Sequence, residues 1–173
     1  YRPVKPWISY RAIRELERLI APDWRILEFG AGMSTIWLAQ RCEHIVSVET
    51  DPQWYGAVGA ILSRRRLDNV DLRLQEKDAV HILSDLQAHS FDFVLVDGVN
   101  RDACMRTALQ AVKHGGYIYL DNTDQFVNDL SGHTRIAEDT LSSYLDRTNG
   151  SAKYFVDFSP GNFFVSEGLL AAV

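Results

Sequence analysis

The chain has 173 residues, 46% hydrophobic and 24% charged, which is enough apolar material for one globular domain with a substantial core. Its formal charge of −5, from 23 acidic against 18 basic residues, gives no general attraction to a phosphate backbone and sets nucleic acid aside as a partner. The sequence has no run of about 18 apolar residues and no signal-peptide pattern, so a membrane partner is set aside too and a cytoplasmic location is expected.

Short apolar runs alternate with longer amphipathic ones, the mark of a parallel sheet with crossover helices. The stretch WISYRAIRELERLI places Ile8, Ala12, Ile13, Leu16, Leu19 and Ile20 on one stripe of a covering helix, stopped by Ala21-Pro22-Asp23. Strands are then expected over 25–29, 44–49, 70–74, 91–97 and 117–121. The helices between them are expected over 34–41, from Pro52, over 79–88 and over 102–112. Thr50-Asp51-Pro52 announces the second of these, a capping side chain followed by proline at the first helical position. After Asp121 come a polar loop, a helix over 134–145, and the runs AKYFVDF and NFFVSE around Ser-Pro-Gly, which read as an antiparallel hairpin. The two cysteines, Cys42 and Cys104, have no zinc spacing and read as ordinary buried thiols.

In open α/β sheets ligands sit beyond the carboxyl ends of the strands, so those ends carry the information. After the first strand, Gly30 and Gly32 let the backbone turn tightly and approach a ligand, with Ser34 and Thr35 at a helix start. The third glycine of a dinucleotide fingerprint is absent, because Thr35 stands there. Glu28 interrupts the apolar end of that strand and would repel a pyrophosphate. It suits either a ligand's ammonium group or a hydrogen bond that shapes the loop. Glu49 ends the second strand nineteen positions after Gly30, the distance at which an acid bonds ribose hydroxyls. Asp78, before Ala79, can accept from an adenine amino group or cap the helix that follows.

This ordered set resembles the class I S-adenosylmethionine-dependent methyltransferases, whose first motif is an acid, one residue, then a glycine-rich turn: here Glu28-Phe29-Gly30-Ala31-Gly32-Met33-Ser34. Glu49, the Asp78-Ala79 pair, Gly115-Gly116 before the fifth strand and the terminal hairpin extend the likeness from about residue 25 to 167. Ser34 departs from the glycine many members have there. The resemblance implies a Rossmann-like fold, a mostly parallel seven-stranded sheet with a C-terminal antiparallel hairpin and helices on both faces. One domain would span 1–173, with a covering helix in 1–24, a cofactor core over 25–121, and the loop, helix and hairpin over 122–173. The cofactor would be S-adenosylmethionine, its methionine part along Phe29, Gly30, Ala31, Gly32, Ser34 and Thr35, its ribose on Glu49 beside Thr50, and its adenine near Asp78 and Ala79. Glu28 and Asp97 would complete the acidic lining that a sulfonium favours.

The fourth and fifth apolar runs end at Asp97 and at Asp121-Asn122, a set of hard oxygen donors suited to magnesium, calcium or manganese. The pattern is similar to the metal-dependent O-methyltransferases of the catechol and caffeoyl-coenzyme A type, which implies Asp97, Asp121 and Asn122 as metal ligands. The lysine that serves as base in the catechol-type enzymes is replaced by Asn100, with Arg101 next to it. Arg101 stays protonated and can orient an anionic substrate without acting as a base. A metal-free polar site, with Asp97 as base and Asn122 positioning a hydroxyl, is the alternative. Trp7, Trp54 and Phe126 can line the mouth of the site, though each taken singly reads as packing against the sheet. His133 reads as a loop residue or a general base. The expected activity is methyl transfer to oxygen of a small-molecule acceptor, with Asp97, Asn100, Arg101 and Asn122 facing it. The competing readings are a cofactor-binding module without activity and a nicotinamide-dependent oxidoreductase.

Overall fold

The structure is a computed structural model and describes residues 4–75, 85–124 and 132–173. The chain enters through α1 (Tyr10–Leu19), which starts where the Ser9 hydroxyl accepts from the Ala12 amide at 3.2 Å. Capping therefore delays the helix to Tyr10, while Ile8 is buried ahead of it. The order then runs β1 (Arg25–Phe29), α2 (Met33–Ala39), β2 (His44–Glu49), α3 (Pro52–Arg65), β3 (Val70–Leu74), β4 (Phe91–Val96), α4 (Arg101–Ala111) and β5 (Val112–Asp121). It closes with α5 (His133–Thr148), β6 (Ser151–Phe158) and β7 (Val165–Ala172).

All seven strands form one sheet in the order β3-β2-β1-β4-β5-β7-β6. The first five are mutually parallel, and β7 inserts antiparallel between β5 and β6. The expected sheet and hairpin are thus observed. Alternate residues of the central strands feed two cores. Ile26, Ile45, Phe93 and Leu95 pack with α1 and α2 on one face, while Leu27, Val46, Val94 and Ile118 pack with α4 and α5 on the other. That period-two division explains why the central strands read as continuous apolar runs.

Three expectations change. The helix expected over 79–88 lies mostly outside the described residues, and residues 85–88 are not helical. The fifth strand begins earlier, at Val112, but its register slips between Phe91↔Val112 and Phe93↔Tyr117, where Gly115 takes φ +78°. Only the regular part from Tyr117 carries an alternating pattern that a sequence can show. The last strand begins later, at Val165, because Phe158 pairs with Val165 and the turn of Ser159 to Asn162 leaves Phe163 and Phe164 in the connection. Their strand propensity is overridden by pairing register. Among the described residues, no helix is long and apolar enough to cross a membrane.

Candidate functional site

At the carboxyl edge of the sheet, β1 turns into α2 through Gly30. Its φ is +94°, and a Cβ there would lie 2.9 Å from the carbonyl carbon and oxygen of Asp97. Glycine alone lets the turn lie against the end of β4. The Gly30 amide donates to the Val48 carbonyl at 2.9 Å, and the Asp97 amide donates to the Phe29 carbonyl at 2.9 Å. Three strand ends are thereby tied together.

Behind the turn sits Glu28, fully buried. Its Oε2 accepts from the Thr35 and Ser47 hydroxyls, both at 2.5 Å, and Thr35 Oγ1 in turn accepts from the Gly32 amide at 2.8 Å. The carboxyl thus braces the turn through Thr35. Glu28 and Thr35 stand behind the cavity wall instead of lining it, so the expected ligand contact gives way to the loop-shaping reading. Burial pushes the Glu28 pKa up to about 7, against the lowering effect of the Ser34, Ser47 and Thr35 hydroxyls. Its Oε1 finds no hydrogen-bond partner among the described residues.

In front of the turn lies a cavity of about 270 Å³. Of the residues expected at a cofactor, it brings together Phe29, Gly30, Ala31, Gly32, Ser34, Glu49, Thr50 and Asp97. Asp78 and Ala79 lie outside the described residues. Glu49 ends β2 and is fixed by its own following amides, with Oε1 accepting from Thr50 and Asp51 at 2.7 and 2.8 Å. Such a carboxylate is oriented and available to hydroxyl donors.

Trp7 and Trp54 also line the cavity, and their rings lie 6.2 Å apart. Trp54 Nε1 donates to the Ala31 carbonyl at 2.6 Å, latching the first turn of α3 onto the glycine turn. The reading of each as packing against the sheet is corrected: both are partly exposed at the mouth. Their pairing across 47 positions leaves no sequence signal. Phe126 and most of the loop after Asn122 lie outside the described residues.

The second group sits beside the first. Asp97 follows β4, and the left-handed turn at Asn100 (φ +54°) brings Arg101, the first residue of α4, back over it. Arg101 Nη2 donates to Asp97 Oδ1 at 2.8 Å and to Asn122 Oδ1 at 2.9 Å. Asn100 itself is exposed and outside the cavity lining; its backbone carbonyl accepts from Ala103 and Cys104, so what the structure gives it is the turn into α4. Asp121 is buried at the end of β5, with Oδ1 unpartnered among the described residues. Burial raises the Asp97 pKa, opposed by Arg101, while burial and then the Asp97 charge push Asp121 well above the usual carboxylate range. Asp97 has the guanidinium bonded directly to it, and Asp121 is the acid pushed further up. His133 is no free loop histidine; its Nδ1 lies 2.6 Å from Asp102 Oδ1 at the start of α5.

Asp97, Asp121 and Asn122 therefore converge as expected, yet a guanidinium stands between Asp97 and Asn122. Among the described residues, no group of three His, Cys, Asp or Glu side chains is disposed to hold a metal ion. A divalent cation does not fit this arrangement.

The sequence model of a family described as "Methyltransferase domain" matches residues 27–123, more than half the chain. No curated protein matches the sequence significantly. Among solved structures, an O-methyltransferase from Bacillus cereus in complex with S-adenosylhomocysteine (SAH) is similar at TM-score 0.77 and 21% identity, over 96% of this chain and 82% of that one. The O-methyltransferase TomG from Streptomyces achromogenes, involved in tomaymycin synthesis and complexed with SAM, gives TM-score 0.72 and 23% identity over 92% and 76%. An rRNA methylase from Streptococcus thermophilus gives TM-score 0.67 and 12% identity over 95% of each chain.

Proposed function

Since the chain belongs to the methyltransferase-domain family, we propose that it transfers the methyl group of S-adenosylmethionine to an oxygen of a small-molecule acceptor. The observation that carries the reading is the convergence of the Gly30 turn, the backbone-fixed Glu49 and Asp97 on one cavity. Glu49 would take the ribose hydroxyls, and residues Phe29 to Gly32 with Ser34 would run beside the methionine part. Thr50 flanks the ribose, and Asp78 with Ala79 is assigned the adenine on sequence likeness alone. Two acids on the cavity wall, Glu49 and Asp97, favour a sulfonium over a pyrophosphate, which speaks against a nicotinamide cofactor.

When bound, the cofactor supplies an electrophilic methyl carbon. The chain's own residues align the acceptor oxygen and exclude water. Asp97 is the acid of the second group that lines the cavity, and its raised pKa suits it to take the acceptor's hydroxyl proton. Asp97 would hold that proton once the acceptor oxygen carries the methyl group, with SAH as the other product. Asn122, held by Arg101, would position the acceptor. The charge of −5 favours a small acceptor over RNA, despite the likeness to an rRNA methylase.

Calorimetry with SAH and with NAD is the first test, with heat expected from SAH only. Glu49→Gln should weaken SAH by about 10- to 100-fold, the worth of hydrogen bonds to a charged group; an unchanged affinity would remove Glu49 from the ribose. Labelled S-adenosylmethionine offered with a panel of hydroxylated acceptors then tests transfer. The exposed Asn100, where a catalytic lysine could have stood, favours one competing reading, a cofactor-binding module. That reading predicts SAH binding with no labelled product from any acceptor.

A further inference from the structure

We infer that the Arg101 guanidinium occupies the position a divalent cation would take between Asp97 and Asn122, so that a tethered cation of the chain itself does the charge work of this site. The inference deepens the methyl-transfer reading and rests on it for its catalytic meaning. Its geometric content stands separately.

The donor set is of the kind that holds magnesium or manganese: two carboxylates and an amide oxygen at adjacent strand ends. In this chain the side-chain oxygens of Asp97 and Asn122 both converge on one nitrogen, Arg101 Nη2, at 2.8 and 2.9 Å. An ion bound to both oxygens at about 2.0 to 2.6 Å would have to stand where that nitrogen is. It would also face a guanidinium that keeps its charge at every accessible pH. The bond fixes the Asn122 amide too: its oxygen is committed to Arg101, because a guanidinium only donates.

The placement is built into the backbone at two points. Asn100 at φ +54° returns the chain so that Arg101 reaches Asp97, four residues before it, and Asn122 at φ +58° turns at the end of β5. Both are asparagines in the left-handed region, which asparagine tolerates better than most residues. Arg101 is also three-quarters or more buried, with its Nε unpartnered among the described residues. It is held in place behind Asp97, which lines the cavity. Unlike a metal, such a cation cannot be chelated away, lowers no water pKa, and acts on an acceptor oxygen only by donating hydrogen bonds.

The test is a titration of manganese(II) followed by electron paramagnetic resonance, with SAH calorimetry on the same samples. Wild-type protein should leave the free-ion spectrum intact. Arg101→Ala, which uncovers the three oxygens, should remove free-ion signal in proportion to protein, and Arg101→Ala with Asp97→Asn should restore it. Manganese bound by the wild type and released in Asp97→Asn would overturn the inference. So would an Arg101→Ala variant that still binds SAH but takes up no more manganese than wild type. Should Arg101→Ala fail to fold, Arg101→Gln, a shorter and uncharged side chain that still fills part of the space, takes its place under the same two outcomes. An absence of heat with SAH in the wild type would sink the cofactor reading and leave the manganese arms to decide this one.

Discussion

Two regions of one sheet edge each hold a pair of acids and treat them oppositely. Around the Gly30 turn, Glu28 and Glu49 are met by neutral donors: hydroxyls of Thr35 and Ser47 for the first, backbone amides of Thr50 and Asp51 for the second. On the two adjacent strands, Asp97 and Asp121 are held against each other and one guanidinium. Neutral donors fix a shape; two acids crowded around one guanidinium both have raised pKa values. The first arrangement suits holding a ligand of constant structure, and the second suits moving a proton.

The sharpest way to break this contrast is Asp97→Asn. If Asp97 takes the acceptor's proton, methyl transfer should fall by about 10²- to 10⁴-fold, while SAH affinity measured by calorimetry changes far less. A variant that transfers at the wild-type rate would show that the charged cluster is structural. The opposite pattern, transfer and SAH binding lost together, would place Asp97 with the cofactor residues and dissolve the division.

Next in size is the pH dependence of the brace under the turn. The Glu28 pKa is raised from 4.5 to about 7 by burial. A carboxyl whose folded pKa exceeds its unfolded one contributes stability that is fully present below 4.5 and lost as pH rises through about 7. At about 1.4 kcal/mol per pKa unit the loss is on the order of 3 kcal/mol. Glu28→Gln keeps an oxygen for Thr35 and Ser47 without the titration. Urea unfolding of the two proteins between pH 5 and 8 should therefore show the wild type losing ground to the variant up to about pH 7 and running parallel beyond it. Curves parallel throughout would mean that Glu28 titrates as an ordinary carboxyl and that the turn is braced some other way.

The two regions also differed in how far they could be read from the sequence. The strands 25–29 and 44–49 were legible to the residue because a buried parallel strand is a largely apolar run between breakers, and the edge strand 70–74 because its apolar and charged residues alternate. The turn was legible because Gly30, Gly32 and Glu49 stand at fixed spacing on consecutive elements. The role of Glu28 was not, since its partners Thr35 and Ser47 become neighbours only after β2 pairs with β1. The same holds for Arg101. Its spacing from Asp97 is visible in the sequence, but the amide of Asn122 that completes the bridge arrives from another strand, twenty-one residues on. Side-chain partnership across strands depends on register and turn conformation, and composition carries neither.

The smallest expected effect tests whether the neutral region extends to its rim. Trp54 Nε1 donates to the Ala31 carbonyl at 2.6 Å, and its ring lies 6.2 Å from that of Trp7, so one side chain joins the start of α3, the glycine turn and the N-terminal segment. Trp54→Phe keeps an aromatic ring and removes the donor. A net hydrogen bond of about 1 kcal/mol would be lost, and because Trp54 is partly exposed, water can take up the Ala31 carbonyl. Stability should therefore fall by no more than about 1 kcal/mol in urea unfolding. SAH affinity should drop about fivefold if the latch sets the turn's position, since an error of that size is what a bond worth about 1 kcal/mol restrains. An affinity equal to wild type with the same loss of stability would confine Trp54 to packing at the mouth, and the neutral region would end at Ala31.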